Sequence, residues 1–552
     1  MGWKLEKHSE FHGVPGPVLI VVMDGVGRGK HDVGDAVWLA NTPTLDALEK
    51  NALTTSLRAH GKAVGLPSDD DMGNSEVGHN ALGAGRVFDQ GAKRVQLAIE
   101  SGELYQGATW KKLLGNVVSN QTTLHFVGLL SDGNVHSHIG HLIAMLKRAD
   151  AEGVKRVRIH ALLDGRDVPE TSALTYVDQL ENVLREINHS SERDYRVASG
   201  GGRMSITMDR YEADWAMVER GYKIHVLGEG QTFPSLRDAI KTLRNDNRGV
   251  IDQYLPGFVI GDREGKPVGP INDGDSVVFF NFRGDRAIEF SRAMTEAEFH
   301  AFDRVRFPHV DYAGMMQYDG DLLIPNQYLV DPPHIDRTMG EYLTKNGQSQ
   351  FACSETQKFG HVTYFWNGNR SGRFDDRLER YVEIPSDNIA FDQKPKMKAK
   401  EIADSTIEAL SSGAFRHARI NFANGDMVGH TGNLGAAIVA VETVDEMVGR
   451  LLPVIRNLNG AMIVTADHGN ADEMYELDKK SGTVLRDASG NPYSKTSHTL
   501  NDVPCHIVLP DNSGLTLSAL PTRGLANVAS TALHLMGYAE PDGYERSLLA
   551  NA

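Results

Sequence analysis

Carboxylate and imidazole side chains recur directly after short apolar runs of the chain: Asp24, Asp426, His430, Asp467 and His468. Oxygen and imidazole nitrogen donors without thiolates suit Mn²⁺, Zn²⁺, Co²⁺ or Mg²⁺ rather than soft metals. In a chain with 22 histidines, a single Asp-x-x-x-His pair is more typical of helix capping or plain hydrogen bonding, but recurrence at three strand ends favours paired divalent ions. Such ions would offset the mutual repulsion of the carboxylates and activate a hydroxyl nucleophile.

Ser75 is the candidate nucleophile, within the segment DMGNSEVGH at residues 71–79. A glycine-containing turn meets the predicted start of a helix there, so backbone N–H groups and the helix dipole would face a phosphate beside the hydroxyl. The sequence Asn74-Ser75-Glu76 is also explained as a simple N-cap without a catalytic role. Because Ser75 has no evident Ser-His-Asp partners, a metal is the favoured activator.

A set of basic side chains lies near the ends of the middle strands. Its members are Arg166, Arg203, Arg210, Arg283 and Arg286, with Asp167 and His136 as possible neighbours. Several guanidinium groups in a chain of formal net charge −16 indicate a small ligand with phosphate and carboxylate groups. Each arginine taken alone is more typical of a solvated surface than of a binding site.

The histidines His136, His138 and His141 have the composition of a metal cluster, but substrate contact and plain surface explain them equally well. The glycine triplet at residues 200–202 lacks the G-x-G-x-x-G spacing of dinucleotide-binding loops. A dinucleotide cofactor is therefore not expected.

The elements that must position these residues are short apolar runs, repeatedly followed by polar clusters that contain glycine. Between the runs lie stretches with helical spacing, such as residues 141–152, 175–187 and 434–451. Apolar strands that alternate with helices predict mostly parallel sheets and an α/β fold. Ligands of such sheets bind beyond the carboxyl ends of the strands, which is where the polar clusters fall.

Composition sets outer limits on the function. The chain has 552 residues, 57 Lys and Arg against 73 Asp and Glu, and a length that predicts more than one hydrophobic core. The acidic balance argues against a general nucleic-acid binder. The two cysteines, Cys353 and Cys505, exclude a Cys-rich metal site. Apolar runs well short of the ~20 residues that span a bilayer, and a start without a signal core, predict a soluble cytoplasmic protein.

Longer motifs, in the same order along the chain, resemble those of the cofactor-independent phosphoglycerate mutases. The matching segments are residues 22–25, 40–44, 72–85, 163–167, 280–286, 354–358, 426–430, 465–470 and 497–499. The resemblance covers nearly the whole chain. It implies an α/β fold in which an alkaline-phosphatase-like domain, residues 1–88 and 334–552, is interrupted by an inserted α/β transferase domain at residues 89–333.

The resemblance also assigns roles to individual residues. One metal ion would be held by Asp24, Ser75, Asp467 and His468, and the other by Asp426, His430 and His498. The substrate would contact His136, Arg166, Asp167, Arg203, Arg210, Arg283, Arg286 and Lys358. The catalytic residues would be Ser75, Asp167 and Lys358, with Ser75 forming a phosphoserine and Asp167 moving protons.

The implied activity is the interconversion of 3-phosphoglycerate and 2-phosphoglycerate in glycolysis and gluconeogenesis, catalysed by an isomerase of the intramolecular phosphotransferase type. It would use two divalent metal ions (Mn²⁺, Co²⁺ or Mg²⁺) and no bisphosphoglycerate cofactor. The expected state is a monomer whose partners are these small molecules, without nucleic acid or membrane. Closure of the two domains would keep water from the reaction.

Other functions fit part of the same residues. A metal-dependent phosphatase or phosphopentomutase of the same superfamily would share the Asp, His and Ser set but would not need the Arg166-Asp167 and Arg283-Arg286 pairs, which argue against it. A non-enzymatic binder of metals or sugar phosphates would not need Ser75 beside both ligand sets.

One departure from the family pattern is the longer acidic turn Ser68-Asp69-Asp70-Asp71, which puts the loop geometry next to Ser75 in question.

Overall fold

Apolar strands buried on both faces form the frame of the protein, as the sequence pattern predicts. The computed structural model describes residues 3–66, 69–89, 91–190, 192–210, 214–318, 323–331, 335–478, 481–487, 489–511 and 513–551. The chain divides into two compact units: a flanking unit, Met1–Gln90 with His334–Ala552, and an inserted unit, Gly91–Pro333. The roles that the sequence assigns to these segments stay predictions.

The strands are, in chain order, β1 (Val18–Met23), β2 (Leu53–Leu57), β3 (Leu124–Leu129), β4 (Arg156–Leu163), β5 (Asp194–Gly202), β6 (Gln231–Phe233), β7 (Phe258–Ile260), β8 (Ser276–Phe279), β9 (Asp311–Gly314), β10 (Gln350–Glu355), β11 (Glu379–Ile384), β12 (His417–Phe422), β13 (Ala461–Thr465), β14 (Val503–Val508), β15 (Leu515–Leu517) and β16 (Leu549–Asn551).

The α-helices are α1 (Ala36–Leu39), α2 (Pro43–Asn51), α3 (Ser75–Ala84), α4 (Gly91–Glu100), α5 (Glu103–Gln106), α6 (Ala108–Asn120), α7 (Ile139–Ala151), α8 (Ala173–Ile187), α9 (Trp215–Tyr222), α10 (Leu236–Asp246), α11 (Ile288–Thr295), α12 (Met339–Lys345), α13 (Thr356–Gly360), α14 (Ala399–Ser411), α15 (Asn424–Gly429), α16 (Leu434–Asn457) and α17 (Asn527–Leu535). Short 3₁₀ turns at Gly61–Val64 and Asp252–Tyr254, and π-helical turns at Lys223–Leu227 and His361–Phe365, complete the helical segments of the described residues.

The sheet of the flanking unit has the strand order β11-β10-β12-β1-β13-β14-β2. Strand β1 is parallel to both β12 and β13, and β10 is parallel to β12, so their carboxyl ends share one edge. Strand β14 is antiparallel to β13, which brings the residues before β14 to the same edge. This topology collects at one edge side chains that are far apart in the sequence.

The sheet of the inserted unit has the order β6-β7-β5-β4-β3-β8-β9. Strands β3, β4, β5 and β8 are parallel neighbours, so the segments that follow them meet at one edge. Separate apolar cores cover the two faces: one contains Phe126 and Ile159, and the other contains Val127 and Leu162. Alternate residues of β3 and β4 therefore point to opposite faces, as strand geometry requires.

The predicted fold class, an α/β domain with an inserted α/β domain, is confirmed. The helices expected at residues 141–152, 175–187 and 434–451 correspond to α7, α8 and α16. In the described part of the chain, no helix combines the length and apolar character needed to cross a membrane.

We expect Leu19→Ala to destabilise the flanking unit strongly. Leu19 is fully buried in β1, between β12 and β13, so truncation removes apolar contacts and leaves a cavity, at a cost of about 2–5 kcal/mol. Urea unfolding followed by circular dichroism measures the change. The matched control is Leu97→Ala on α4, where the leucine is 49% exposed and the expected change is within about 0.5 kcal/mol. Equal effects of the two substitutions would contradict the central position of β1.

Candidate metal centre and anion-binding cluster

Ser75 is the first residue of α3 and is buried. The side chain of Asn74 caps the helix by accepting hydrogen bonds from the N–H groups of Glu76 and Val77. Ser75 Oγ donates a hydrogen bond to Asp24 Oδ1 at 3.2 Å and lies 3.0 Å from His468 Nε2. The N-cap and nucleophile interpretations are thus compatible, because the capping residue is Asn74 and the hydroxyl of Ser75 faces polar groups.

Two groups of potential metal ligands surround this hydroxyl. In the first, ligand atoms of Asp24, Asp467 and His468 all lie within 4.8 Å of one another. In the second, the same holds for Asp426, His468 and His498. His468 belongs to both groups, whereas the family resemblance implies that it holds one metal only.

His430 joins the second group through Asp426. The Oδ1 atom of Asp426 lies 2.9 Å from His430 Nε2 and 3.2 Å from His498 Nε2, and the two imidazole nitrogens are 3.1 Å apart. The Nδ1 atoms donate hydrogen bonds to backbone carbonyls, His430 to Thr496 and His498 to Gly73. These bonds leave the Nε2 atoms as the metal-facing nitrogens, an arrangement typical of ligating histidines.

Lys358 follows β10 and places an ammonium group among the acidic side chains. Its Nζ donates hydrogen bonds to Asp24 Oδ1 and Asp426 Oδ2, both at 2.8 Å, and to Ser75 Oγ at 2.5 Å. Lys358 thereby joins the two predicted ligand sets to the predicted nucleophile.

The electrostatics of the cluster favour bound positive charge. Burial would raise the pKa of Asp426, but His430 and Lys358 outweigh it and hold the pKa well below the usual value. Burial would lower the pKa of His468, but Asp467, Asp24 and Asp426 raise it to about 9. Buried carboxylates paired with imidazoles are a donor set that suits Mn²⁺, Zn²⁺, Co²⁺ or Mg²⁺. The residues present therefore fit a pair of such ions.

Three side chains outside the predicted ligand sets hold the ligands in place. Asn421 Nδ2, within β12, donates hydrogen bonds to Asp24 Oδ2 at 2.6 Å and to His79 Nε2 at 3.2 Å. The Nδ1 of His79 donates to the carbonyl oxygen of Ser75 at 2.7 Å. Asn470 Nδ2 donates to Asp426 Oδ1 at 2.9 Å. His79 and Asn470 lie inside recognised motifs, and Asn421 is signalled only as a polar residue in an apolar strand.

The backbone segments that carry Asp24 and Asp426 approach each other closely at Gly25. Gly25 has a φ of +75°, and a Cβ at this position would lie 2.6 Å from the backbone nitrogen of Asp426. Only glycine fits both the left-handed conformation and the contact. Gly25 thus sets the spacing between carboxylates of the two predicted metal sites.

The predicted basic set assembles in the inserted unit, at the carboxyl ends of β3, β4, β5 and β8. Arg203 donates hydrogen bonds to Asp164 Oδ1, at 3.0 Å, and to Asp167. Around Asp285, the Nε of Arg283 lies at 3.0 Å, the Nη1 of Arg210 at 3.5 Å and the Nδ1 of His136 at 3.7 Å. The remaining members, Arg166 and Arg286, are likewise buried.

Positive charge dominates this second cluster. Burial, together with Arg210, Arg166 and Arg203, lowers the pKa of Arg286 well below its usual value. Burial and the neighbouring guanidinium groups also lower the pKa of His136, so its imidazole is neutral. Asp285 stays ionised because Arg283 and Arg210 outweigh the effect of burial and lower its pKa. Buried guanidinium groups in excess over carboxylates form a site suited to an anion.

The other histidines near His136 have separate contacts. His138 caps α7 by accepting a hydrogen bond from the N–H of Gly140, and His141 Nε2 lies 3.0 Å from Gln96 Oε1. Among the described residues, these histidines do not form a ligand group. Of the explanations left open above, the surroundings of His136 favour anion contact.

Local hydrogen bonds fix the position of Asp69 in the acidic turn before Ser75. Asp69 Oδ1 accepts hydrogen bonds from Arg58 Nη2 at 3.0 Å and from the backbone N–H of Lys62 at 3.2 Å. The hydrogen bond from Lys62 is the main cause of a lowered pKa of Asp69. Ser68 lies outside the described residues.

Known proteins resemble this chain over nearly its full length. A family model for the metalloenzyme superfamily matches residues 16–540. The probable 2,3-bisphosphoglycerate-independent phosphoglycerate mutase of Leptospira interrogans serogroup Icterohaemorrhagiae serovar copenhageni is 56% identical over 536 residues, 97% of each sequence. The 2,3-bisphosphoglycerate-independent phosphoglycerate mutase of Trypanosoma brucei brucei is 53% identical over 538 residues, 96% of this chain and 97% of the relative. A crystal structure of Leishmania mexicana phosphoglycerate mutase at low cobalt concentration matches with a TM-score of 0.97, at 51% identity and 100% coverage of both chains.

We expect Asn421→Ala to weaken metal binding. The substitution removes the hydrogen bonds to Asp24 and His79, and loss of such a supporting contact typically costs about 10–100-fold in metal affinity. Calorimetric titration of metal-stripped protein with Mn²⁺ measures the change. Asn182→Ala on α8 is the matched control and should bind as the wild type does. Wild-type Mn²⁺ affinity in Asn421→Ala would remove Asn421 from the metal centre.

Proposed function

Because the chain belongs to the metalloenzyme superfamily and, within it, to the 2,3-bisphosphoglycerate-independent phosphoglycerate mutases, we propose that it interconverts 3-phosphoglycerate and 2-phosphoglycerate through a phosphoserine on Ser75. The family and the isomerase class predicted from the sequence are confirmed by this membership. The observation that carries the chemical proposal is the contact of Ser75 Oγ with Asp24, His468 and Lys358.

In the first half-reaction, Ser75 Oγ forms a bond to phosphorus while the bond from phosphorus to the 3-oxygen of the substrate breaks. The Lys358 ammonium group, 2.5 Å from Ser75 Oγ, stabilises negative charge on the equatorial oxygens. Asp167, protonated when the substrate binds, donates its proton to the departing 3-oxygen, while the proton of Ser75 Oγ passes to Asp24 Oδ1, which accepts its hydrogen bond. The products of this step are phosphoserine and bound glycerate.

In the second half-reaction, Asp167 takes the proton of the 2-hydroxyl group. The 2-oxygen then forms a bond to phosphorus as the bond to Ser75 Oγ breaks, and the proton returns from Asp24 Oδ1 to Ser75 Oγ, which yields 2-phosphoglycerate and the free hydroxyl group. The contact of Asp167 with Arg203 supports this role, because Arg203 fixes the carboxylate while also belonging to the anion-binding cluster.

The arginine cluster supplies retention of glycerate between the two steps. Arg166, Arg203, Arg210, Arg283 and Arg286, with His136, would bind the carboxylate and hydroxyl groups by charge-assisted hydrogen bonds, which strengthen where water is excluded. A phosphatase or phosphopentomutase has no need of such a cluster for glycerate. Its presence supports transfer over hydrolysis.

We assign one metal ion to Asp24, Ser75, Asp467 and His468, and the other to Asp426, His430 and His498. When bound, divalent ions would lower the pKa of the Ser75 hydroxyl group and neutralise charge on the phosphate. The donor set supports Mn²⁺, Co²⁺ or Mg²⁺. The Leishmania mexicana relative was crystallised at low cobalt concentration, which agrees with this range.

The same proposal includes the setting of the reaction. The enzyme would act in glycolysis and gluconeogenesis as a cytoplasmic monomer, with phosphoglycerates as its partners and without nucleic acid or membrane. The excess of 73 acidic over 57 basic residues supports this choice of partners.

Ser75→Ala should abolish mutase activity, because a methyl group neither attacks phosphorus nor ligates a metal ion. Removal of a nucleophile typically lowers kcat by at least about a thousand-fold. Conversion of 3-phosphoglycerate, and acid-quenched protein examined for phosphoserine by mass spectrometry, test the two parts of the proposal. Ser119→Ala on α6 is the matched control. Substantial turnover by Ser75→Ala, or a trapped phosphate on another residue, would refute Ser75 as the nucleophile.

Phosphate should pass between the two oxygens of a single glycerate molecule, because the arginine cluster retains glycerate while Ser75 is phosphorylated. The test converts unlabelled 3-phosphoglycerate in the presence of excess ¹⁴C-labelled free glycerate and without bisphosphoglycerate. Labelled phosphoglycerate should form far more slowly than product. Incorporation of ¹⁴C at a rate comparable to turnover would refute intramolecular transfer.

A further inference from the structure

A continuous line of buried hydrogen bonds crosses the sheet of the inserted unit. It begins at Asp275 Oδ2, which lies 3.1 Å from His125 Nε2, and continues from His125 Nδ1 to His160 Nε2 at 3.0 Å. His160 Nδ1 lies 2.7 Å from Ser199 Oγ, which lies 2.8 Å from His225 Nδ1. We refer to this line of hydrogen bonds as the histidine chain. All of its members are buried, and none has a role in the reaction described above.

The histidine chain ends at Thr207. Its hydroxyl oxygen lies 3.0 Å from His225 Nε2. Thr207 belongs to the segment between Arg203 and Arg210, and the carbonyl oxygen of the next residue, Met208, accepts a hydrogen bond from Arg286 Nη1 at 2.7 Å. One short loop therefore carries two of the arginines and orients a third.

A single consistent direction of donors runs through the chain. Burial is the main cause that lowers the pKa of His125, His160 and His225, to about 3 for His225, so each imidazole is neutral and carries one N–H. His125 must donate from Nε2 to the carboxylate of Asp275 and hence accepts at Nδ1. Repeating this argument along the chain makes His160 an Nε2–H tautomer and His225 an Nδ1–H tautomer, and leaves His225 Nε2 to accept the proton of the Thr207 hydroxyl.

Local backbone features serve this line of contacts. The pairing of β4 with β5 shifts register, so that Val197 is opposite Ile159 but Ser199 is opposite His160. A bulge of this kind re-aims a side chain, and here it brings the Ser199 hydroxyl group to the face with the histidines. Without the shift, Ala198 would occupy that position.

Thr207 itself is held in an unfavourable conformation. Its φ is +69°, in the left-handed region that β-branched residues avoid. A Cβ at Gly221 of α9 would lie 2.1 Å from Thr207 Oγ1, so the helix is free of a side chain where Thr207 contacts it. Backbone strain that persists next to a binding cluster points to a functional constraint.

We propose that the histidine chain positions the substrate-binding arginines, and that Thr207 is the positioning residue through which it acts. The inference rests on the function proposed above. The Thr207 hydroxyl bond fixes the loop from Arg203 to Arg210 and the carbonyl group that orients Arg286. Loss of this hydrogen bond would weaken the binding of glycerate but would not remove a group that reacts.

The main test compares Thr207→Val with Thr207→Ser in the full-length, metal-loaded enzyme. Valine keeps the shape and the β-branch but lacks the hydroxyl group, whereas serine keeps the hydroxyl group. We expect Thr207→Val to raise the KM for 3-phosphoglycerate, and its Kd measured by calorimetry, about tenfold, with a smaller change in kcat. Thr207→Ser should restore most of this binding. Equal effects of the two variants, or no effect of Thr207→Val beyond that of the exposed control Thr232→Val, would overturn the proposal.

Release of inorganic phosphate by hydrolysis of the phosphoserine is a measurement that a merely structural role of Thr207 would not change. When glycerate is held loosely, water attacks the phosphoserine, the bond between phosphorus and Ser75 Oγ breaks, and inorganic phosphate and glycerate are released. Thr207→Val should therefore release more phosphate per mutase turnover than the wild type. An unchanged ratio of phosphate to product would contradict the proposal.

Two further measurements test whether the members of the histidine chain act together. The effects of Ser199→Ala and Thr207→Val on Kd should fall short of additive in the double variant, since both interrupt one line of contacts. Fully additive effects would show that the sites act separately. In ¹⁵N-histidine spectra, His225 should be the Nδ1–H tautomer, and the Nε2–H tautomer would refute the assigned direction.

The variant Thr207→Gly controls for the possibility that Thr207→Val misfolds. Glycine accepts a φ of +69° without strain but has no hydroxyl group, so this variant should fold well and still show the raised Kd. Wild-type affinity in Thr207→Gly would overturn the proposal. Failure of the proposed function is recognised separately, because the wild-type enzyme would then not convert 3-phosphoglycerate. In that case the tautomer of His225 still tests the direction of hydrogen-bond donation along the histidine chain.

Discussion

Burial of like charges at short range is the constraint on which both clusters depend. Asp24, Asp426 and Asp467 are removed from water at one sheet edge, where their mutual repulsion would otherwise push them apart. Lys358 and His468 supply positive charge within this cluster, and divalent ions would supply more. Parallel strands make the arrangement attainable, because they bring side chains from opposite ends of the sequence to a single edge.

The inserted unit meets the same constraint with the signs reversed. Its arginines repel one another, and Asp285, Asp164 and Asp167 offset only part of that repulsion. In the proposed function, a bound phosphoglycerate would supply the negative charge that this cluster lacks. Substrate binding and relief of electrostatic strain are therefore one event in the proposed mechanism. Each unit is built to hold the kind of charge that the other would repel.

The sequence is a good guide to strands and a poor guide to supporting contacts. Runs such as Val18–Met23 are apolar throughout, so burial on both faces and a parallel sheet follow from them directly. Helix positions also follow from periodicity, although their ends shift by a few residues. Asn421 and Asp285 could not be assigned in this way, because one polar residue in a strand or loop has many explanations until its neighbours are known. The histidine chain depends on strand order and on a register shift, neither of which is encoded in local spacing.

The central place of β1 has a consequence for the growing polypeptide. Its partners β12 and β13 belong to the far end of the chain, and Ser75 precedes His468 by 393 residues. At about 5–20 residues per second, synthesis of this interval takes roughly 20–80 s. During that time the apolar strand β1 exists without its neighbours, while the strands of the inserted unit emerge next to one another. Metal binding by the proposed centre would thereby be deferred to the last part of synthesis, because Asp467, His468 and His498 lie near the end of the sequence.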